Sequence, residues 1–372
     1  MNLGRQRGFT LIELMVALVV STLLVGMILS IFSRISLAYR GQQQIAGVQQ
    51  VLAAARATIE IDAKQAGFAV PQGFRVATAP TVKQWPVRIV DSATGPDQIA
   101  FFYADSSAQA VATVASTTWA VNPTVTVDSA TAFAQDDVVV LTNVDTTTNS
   151  SINAGVDPNI ATYDSCVMQI ATVAATVVTF NRNAPWGRSD STQCAAPQIG
   201  TIMYKFVAHG YRIDPTRPTV AALQQSPTGG LFATDALNKW QDLAYGFTDI
   251  QTALQVFENG DLTDTPDPDA DPQRDWYSGA LQGTQTGTDG STPVNPPLQM
   301  TISLVARTDR NVEGISTAAT PALIDPLNIN NNTLGNRPSV DLTTTTDPAL
   351  QGAQIYRYIT FSVDFRNIGV GD

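Results

Sequence analysis

Glu13 is the single acid in an apolar run from Phe9 to Phe32, FTLIELMVALVVSTLLVGMILSIF. A carboxylate held in hydrocarbon costs at least a few kcal/mol unless it is paired or protonated. The chemistry open to Glu13 is therefore charge pairing. Cys166 and Cys194 are the only cysteines. An even pair on an exported side suggests one disulfide, with two buried free thiols as the alternative. His209 is the only histidine, so a Cys/His zinc site would lack ligands. Beside Gly210, in what reads as a strand–turn setting, it reads as structural. Asp267, Asp269 and Asp271 have calcium-like spacing, but Pro272 stands where an EF-type loop needs glycine and Ser278 where it needs the closing glutamate. The stretch 261–275 reads as a solvated acidic loop, with calcium as the alternative. No G-x-S-x-G, Walker A, H-E-x-x-H or dinucleotide fingerprint occurs. No enzyme activity, metal or cofactor is expected; an anchored periplasmic enzyme built on His209 is the remote alternative.

The element that must position Glu13 is a helix. The run 9–32 spans roughly 36 Å at about 1.5 Å per residue, enough to cross a bilayer. Arg5 and Arg7 just before it favour a cytoplasmic N-terminus, leaving the rest of the chain on the periplasmic side of an inner membrane. An ordinary secretory signal would have a shorter apolar core followed by a small-x-small cleavage site, and a plain signal anchor would not be expected to carry Glu13. No proline precedes Pro71. Ile45, Val48, Leu52, Ala55, Ile59 and Ala66 recur at spacings of three, four or seven, which predicts one apolar stripe on a continuing helix that packs under the protein's own head.

From residue 67 the texture changes to short β-rich runs separated by Thr, Asn, Asp, Gly and Pro clusters. Strands are predicted at 98–103, 125–127, 137–142, 167–173, 177–181, 202–207, 247–257, 298–307 and 356–366. Turn-rich stretches fall at 145–157, 259–275, 283–297 and 325–347. Of the 372 residues, 44% are apolar, enough for a sizeable core, and only 14% are charged. With a net charge of −11 and no cluster of Lys and Arg, the bulk of the chain is not suited to nucleic acid.

Arg7-Gly8-Phe9-Thr10-Leu11-Ile12-Glu13-Leu14 resembles the prepilin signature of type IV pilins and type II secretion pseudopilins. The resemblance implies that a membrane aspartyl prepilin peptidase cuts after Gly8 on the cytoplasmic side and methylates Phe9. Glu13 then stands at the fifth mature position, where it meets the N-terminal amine of a neighbouring subunit. The physics agrees. A glycine can be held extended in a crowded protease site. A carboxylate and an amine that are costly apart in an apolar medium attract strongly there, which sets the register of subunit addition. The implied fold is α+β and pilin-like: leader 1–8, N-terminal helix 9–66 with its membrane-spanning part at 9–32, and a β-rich head at 67–372.

Three later segments resemble PilW-type minor pilins: Phe247-Thr248-Asp249-Ile250-Gln251 with its following strand, the strand 298–307 ending in arginine, and the terminal 356–367 closing on Phe365-Arg366-Asn367. The implied partners are the prepilin peptidase, other minor pilins and the major pilin, extending to a tip adhesin and the inner-membrane assembly platform, and the implied destination is the pilus at the cell surface. The J-type minor pseudopilin of type II secretion has the same architecture and stands as the alternative.

Overall fold

The computed structural model describes residues 10–71, 73–76, 79–90, 96–116, 119, 121–142, 165–182, 185–186, 196–216, 222–256, 276–277, 297–308, 328–329, 332–333 and 355–368. Gly8, Phe9, Cys194 and the acidic loop 261–275 lie outside them.

Helix α1, Leu11–Gln65, is continuous over 55 residues, about 80 Å at the usual rise. No proline interrupts it, and Thr10 starts it with a capping box. It stops at Gly67, whose φ of +89° an L side chain rarely adopts. A Cβ there would also lie 2.6 Å from the Asn367 carbonyl oxygen, so the C-terminal segment closes directly on the helix end.

The head follows as β1 (Phe74–Val76), β2 (Ala79–Gln84), β3 (Val87–Val90), β4 (Gln98–Val114), β5 (Thr124–Val127), β6 (Val138–Thr142), β7 (Cys166–Ala174), β8 (Val177–Asn181) and β9 (Ile202–Ile213). Then come β10 (Ala222–Ser226), the short helix α2 (Asp235–Asn238), β11 (Gln241–Tyr245), β12 (Phe247–Val256), β13 (Trp276–Tyr277), β14 (Pro297–Arg307), β15 (Asn328–Ile329), β16 (Asn332–Thr333) and β17 (Tyr356–Asp364).

The antiparallel ribbon β4–β9 organises the head. At one end Gln98–Asp105 pairs with Lys205–Arg212, flanked by β3 on one side and by β10 and β11 on the other. This makes an open sheet. At the other end the ribbon shifts register after Asp105, and the order β4-β5-β8-β7-β6-β9 closes on itself through the β4–β9 pairing. The closed ring is a six-stranded barrel. β5 lies beside β8 rather than β6, which is a Greek-key arrangement. Closure removes free edges from this part of the sheet. Val125, Val127, Leu141, Met168, Ile170, Phe180 and Met203 fill the barrel.

A second antiparallel sheet has the order β13-β12-β14-β17. Ile250 and Leu254 of β12, Met300, Ile302 and Leu304 of β14, and Phe361 and Val363 of β17 point to the face that packs on α1. The opposite side of this core comes from Ile99, Phe101, Tyr211 and Leu223 of the open sheet. Val48, Leu52, Ala55, Ile59 and Ala66 of the predicted stripe close it, all buried, together with Ala63, while Ile45 is half-buried. Complete burial of a Val, Leu or Ile is worth about 1.5–3 kcal/mol each, so this stripe, not helix propensity, holds α1 to the head. Asp97 ties the two sheets: its carboxylate accepts from the Thr252 backbone N–H at 2.9 Å and the Thr252 hydroxyl at 3.0 Å.

Candidate functional site: the anchor helix and its joint with the head

Two halves of α1 differ in what they touch. From Leu11 to Tyr39 the large apolar side chains are exposed except for the half-buried Leu37, with Leu11 at 79% and Phe32 at 70%. Burial begins at Gly41 and follows the stripe to Ala63. A contiguous apolar surface of this size needs a covering, and the first half has the length and composition to cross a membrane.

Glu13 sits on the third position of this helix and reaches back to its start. Its Oε2 accepts from the Thr10 backbone N–H at 2.9 Å and from the Thr10 hydroxyl at 3.0 Å. The Thr10 Oγ1 in turn accepts from the Glu13 N–H at 3.3 Å. Glu13 therefore satisfies orphan donors at the helix N-terminus and sits favourably on the macrodipole. The helix start and the carboxylate are thus one unit, one turn from the predicted cleavage junction.

At the other end Asp62 is 5% exposed. It falls on the apolar stripe, three residues after Ile59 and four before Ala66. Tyr103 Oη of β4 donates to Asp62 Oδ1 at 2.7 Å. Tyr211 Oη of β9 donates to Oδ2, and His209 Nδ1 lies 2.8 Å from the same oxygen. Gln225 Nε2 of β10 donates to Tyr211 Oη at 3.0 Å. Burial alone would raise the Asp62 pKa, but hydrogen bonds from His209, Tyr211 and Tyr103 outweigh it and hold the carboxyl below its ordinary value. Burial and the neighbouring Asp62 charge push both tyrosine pKa values up, which keeps their O–H groups as donors. Three side chains from two strands thus meet one helix carboxylate, with Gln225 of a third strand behind them.

Antiparallel register explains the convergence. His209 stands opposite Phe101, Tyr211 opposite Ile99 and Val207 opposite Tyr103, so all these side chains face α1. His209 lies inside β9 rather than at a strand–turn junction, which corrects the reading from its neighbour Gly210. Gly210 serves another contact: a Cβ there would come within 2.8 Å of the Gly229 backbone. The side chain of His209 lines a surface cleft of about 560 Å³ with Lys64, Phe68, Tyr103, Asp105 and Asn367. The sequence signal for this joint was the acid on the stripe, which periodicity counted as apolar passes over. Cys166 is buried at the start of β7.

Residues 3–29 match the prokaryotic N-terminal methylation motif. No curated protein matches the chain. Among solved structures, a type IV-like pilin from Thermus thermophilus is similar at 9% identity, with 86% of this chain and 97% of that one covered and a TM-score of 0.35. The motif and the exposed apolar helix behind it fit a single-pass, membrane-anchored protein of the pilin type. The chain thus carries a prepilin-type N-terminal motif on an α+β structure with a long N-terminal helix and a large β-rich head. The motif implies processing by prepilin peptidase and assembly with other pilins.

Proposed function

We propose that this chain is a minor pilin of a type IV pilus, of the PilW type. In this reading the peptidase cuts after Gly8 and methylates Phe9. The N-terminus is cytoplasmic, the head enters the periplasm, and the subunit joins a small complex that primes assembly near the filament tip. The observation carrying the proposal is the divided helix: its first half is exposed, apolar and marked by Glu13, while its second half is gripped by a head too bulky to repeat along a whole fibre. Glu13 pairs with a neighbour's N-terminal amine once the helices leave the membrane. Leader 1–8, helix 9–66 and head 67–372 are then the functional parts, and catalysis has no place among them. Cys166 and Cys194 form a disulfide closing a loop of about 28 residues, worth on the order of 3 kcal/mol by chain entropy.

Mass spectrometry of the membrane-extracted protein tests processing: methylated Phe9 is expected at the N-terminus, and an intact Met1 or a cut after Phe32 refutes it. Quantitative proteomics of sheared filaments tests the role. A trace amount beside a dominant major pilin is expected. Dominance of this chain, or its recovery only with a secretion pseudopilus, overturns the assignment. Non-reducing peptide mapping should recover the Cys166–Cys194 linkage, and alkylation of both thiols in the native protein excludes it.

A further inference from the structure

The only histidine of the chain stands at the joint between the anchor helix and the head. Imidazole is the side-chain type whose ordinary titration falls between pH 5 and 8. The His209 side chain is 32% exposed, whereas that of its partner Asp62 is 7% exposed. The ring therefore spans the distance from a buried carboxylate to the solvent of the cleft. We propose that His209 and Asp62 form a proton-operated latch: a protonated His209 tightens the seating of the head on α1, and its deprotonation loosens that seating.

The argument rests on what surrounds the pair. From α1 comes Lys64, whose Nζ is 2.6 Å from Glu60 Oε1, a carboxylate that Arg56 also contacts. From β4 come Tyr103 and Asp105, the latter accepting from the Ser107 backbone and hydroxyl. From β9 come Tyr211 and Lys205, whose Nζ is 2.8 Å from Asp137. β10 offers the neutral Gln225 and the C-terminal segment the neutral Asn367. Burial and the Asp62 charge raise the pKa of both tyrosines, so both stay neutral. Asp62 and Asp105 both have lowered pKa values, so both stay anionic there. The imidazole is left as the group in this set that ordinarily changes charge in that range. With the ring neutral, Asp62 is an anion held by neutral donors. With the ring protonated, it gains a full opposite charge at hydrogen-bond distance in a partly buried setting, where Coulomb attraction is stronger than in water. Asp62 belongs to the helix and His209 to the head, so the gain appears as tighter seating between them.

The full processed protein in detergent micelles provides the test. Its thermal midpoint should fall by about 1–2 °C from pH 5.5 to pH 8.5, a shift of the size one such contact gives in a chain this long. In His209→Gln that slope should be clearly smaller. The mature α-amine also titrates near this range, but the variant retains it, so the difference isolates the imidazole. Hydrogen exchange of amides at 60–66, corrected for intrinsic rates, should speed up several-fold in the wild type across the same change. An equal pH slope in His209→Gln overturns the latch. If that variant does not fold, pH-independent corrected exchange at 60–66 in the wild type overturns it instead.

Discussion

A charged residue in this protein serves two masters at each end of α1, and substitutions can separate the roles. Glu13 caps its own helix through Thr10 and is the candidate partner for a neighbour's amine. Glu13→Leu removes both functions. Glu13→Gln keeps a side chain that the capping box accepts and removes the charge alone. If pairing drives assembly, both variants should be cleaved and inserted normally yet lose co-purification with partner pilins. If the cap is what matters, Glu13→Gln should assemble at wild-type levels while Glu13→Leu fails, and the pairing role is then excluded. Asp62 makes a separate prediction about acid. Its folded pKa is depressed, so its stabilising contribution is complete above the ordinary aspartate value of about 3.9. That contribution is lost as pH falls through the folded value. Below pH 4 the wild type should lose stability, while Asp62→Asn should start about 1–3 kcal/mol lower at neutral pH and show a shallower acid transition. Equal acid profiles in the two proteins would show that Asp62 contributes nothing to the joint. Neither the cap nor the joint was fully legible from residue types. Glu13 announced itself as an acid among apolar neighbours, whereas Asp62 was hidden because its donors lie more than 40 positions away in the chain.

Among the elements, the sequence marked those whose side chains carry the strand signal. The helix appears over its predicted length, and each of the nine predicted strands overlaps an observed one. β4 and β9 were read too short. Beyond Tyr103, β4 runs through Ala-Asp-Ser-Ser-Ala-Gln-Ala, residues of weak strand preference. β9 supplies backbone partners to Ala104, Asp105, Gln109 and Ala110 on either side of a register shift, and β5 pairs the strand further on at Ala112 and Val114. β10 and β11, with Gln224, Gln225, Gln241 and Asp242, were missed for the same reason: pairing in the sheet decides them, and propensity does not. The exit of α1 was only partly legible, since a glycine at a helix end is expected but its contact with Asn367 is a long-range fact. That contact gives an element-scale prediction. Gly67→Ala combines a positive φ with a backbone collision, so it should destabilise the head by at least about 1–3 kcal/mol. Ala63→Gly, one turn earlier with ordinary helical geometry, should cost about 1 kcal/mol plus a small cavity term. Chemical denaturation of both variants checks the order. A Gly67→Ala protein as stable as the wild type would mean that the helix end and the C-terminal segment are not locked together.

The molecule as a whole couples a helix that is half anchor and half core to a head with two β units. The six-stranded ring could not be read from the chain, because its closure depends on β4 meeting both β5 and β9, pairings without a local signature. What the chain did show was the change of texture at residue 67, and the fold turns that change into a division of labour along α1. Full burial along α1 begins at Gly41 and residues 10–32 are exposed, so the anchor should add little to the stability of the head. A chain beginning at Ser33 should therefore remain folded. It loses the exposed apolar surface of the anchor while keeping Val48, Leu52, Ala55, Ile59, Asp62 and Ala63, all of which are buried. It should be soluble without detergent, with a thermal midpoint within about 1–2 °C of the full chain, the equivalent of no more than about 1 kcal/mol. A chain beginning at Ala53 also discards Val48 and Leu52, which together represent roughly 3–6 kcal/mol of burial, and it opens the core to water between the two sheets. Its midpoint should fall by roughly 4–9 °C at about 1.5 °C per kcal/mol for a chain of this length. Circular dichroism and size-exclusion chromatography of the two truncations decide the matter. Aggregation of the chain starting at Ser33 would place part of the head's stability in the anchor, and a stable chain starting at Ala53 would show that the helix stripe is dispensable to the core.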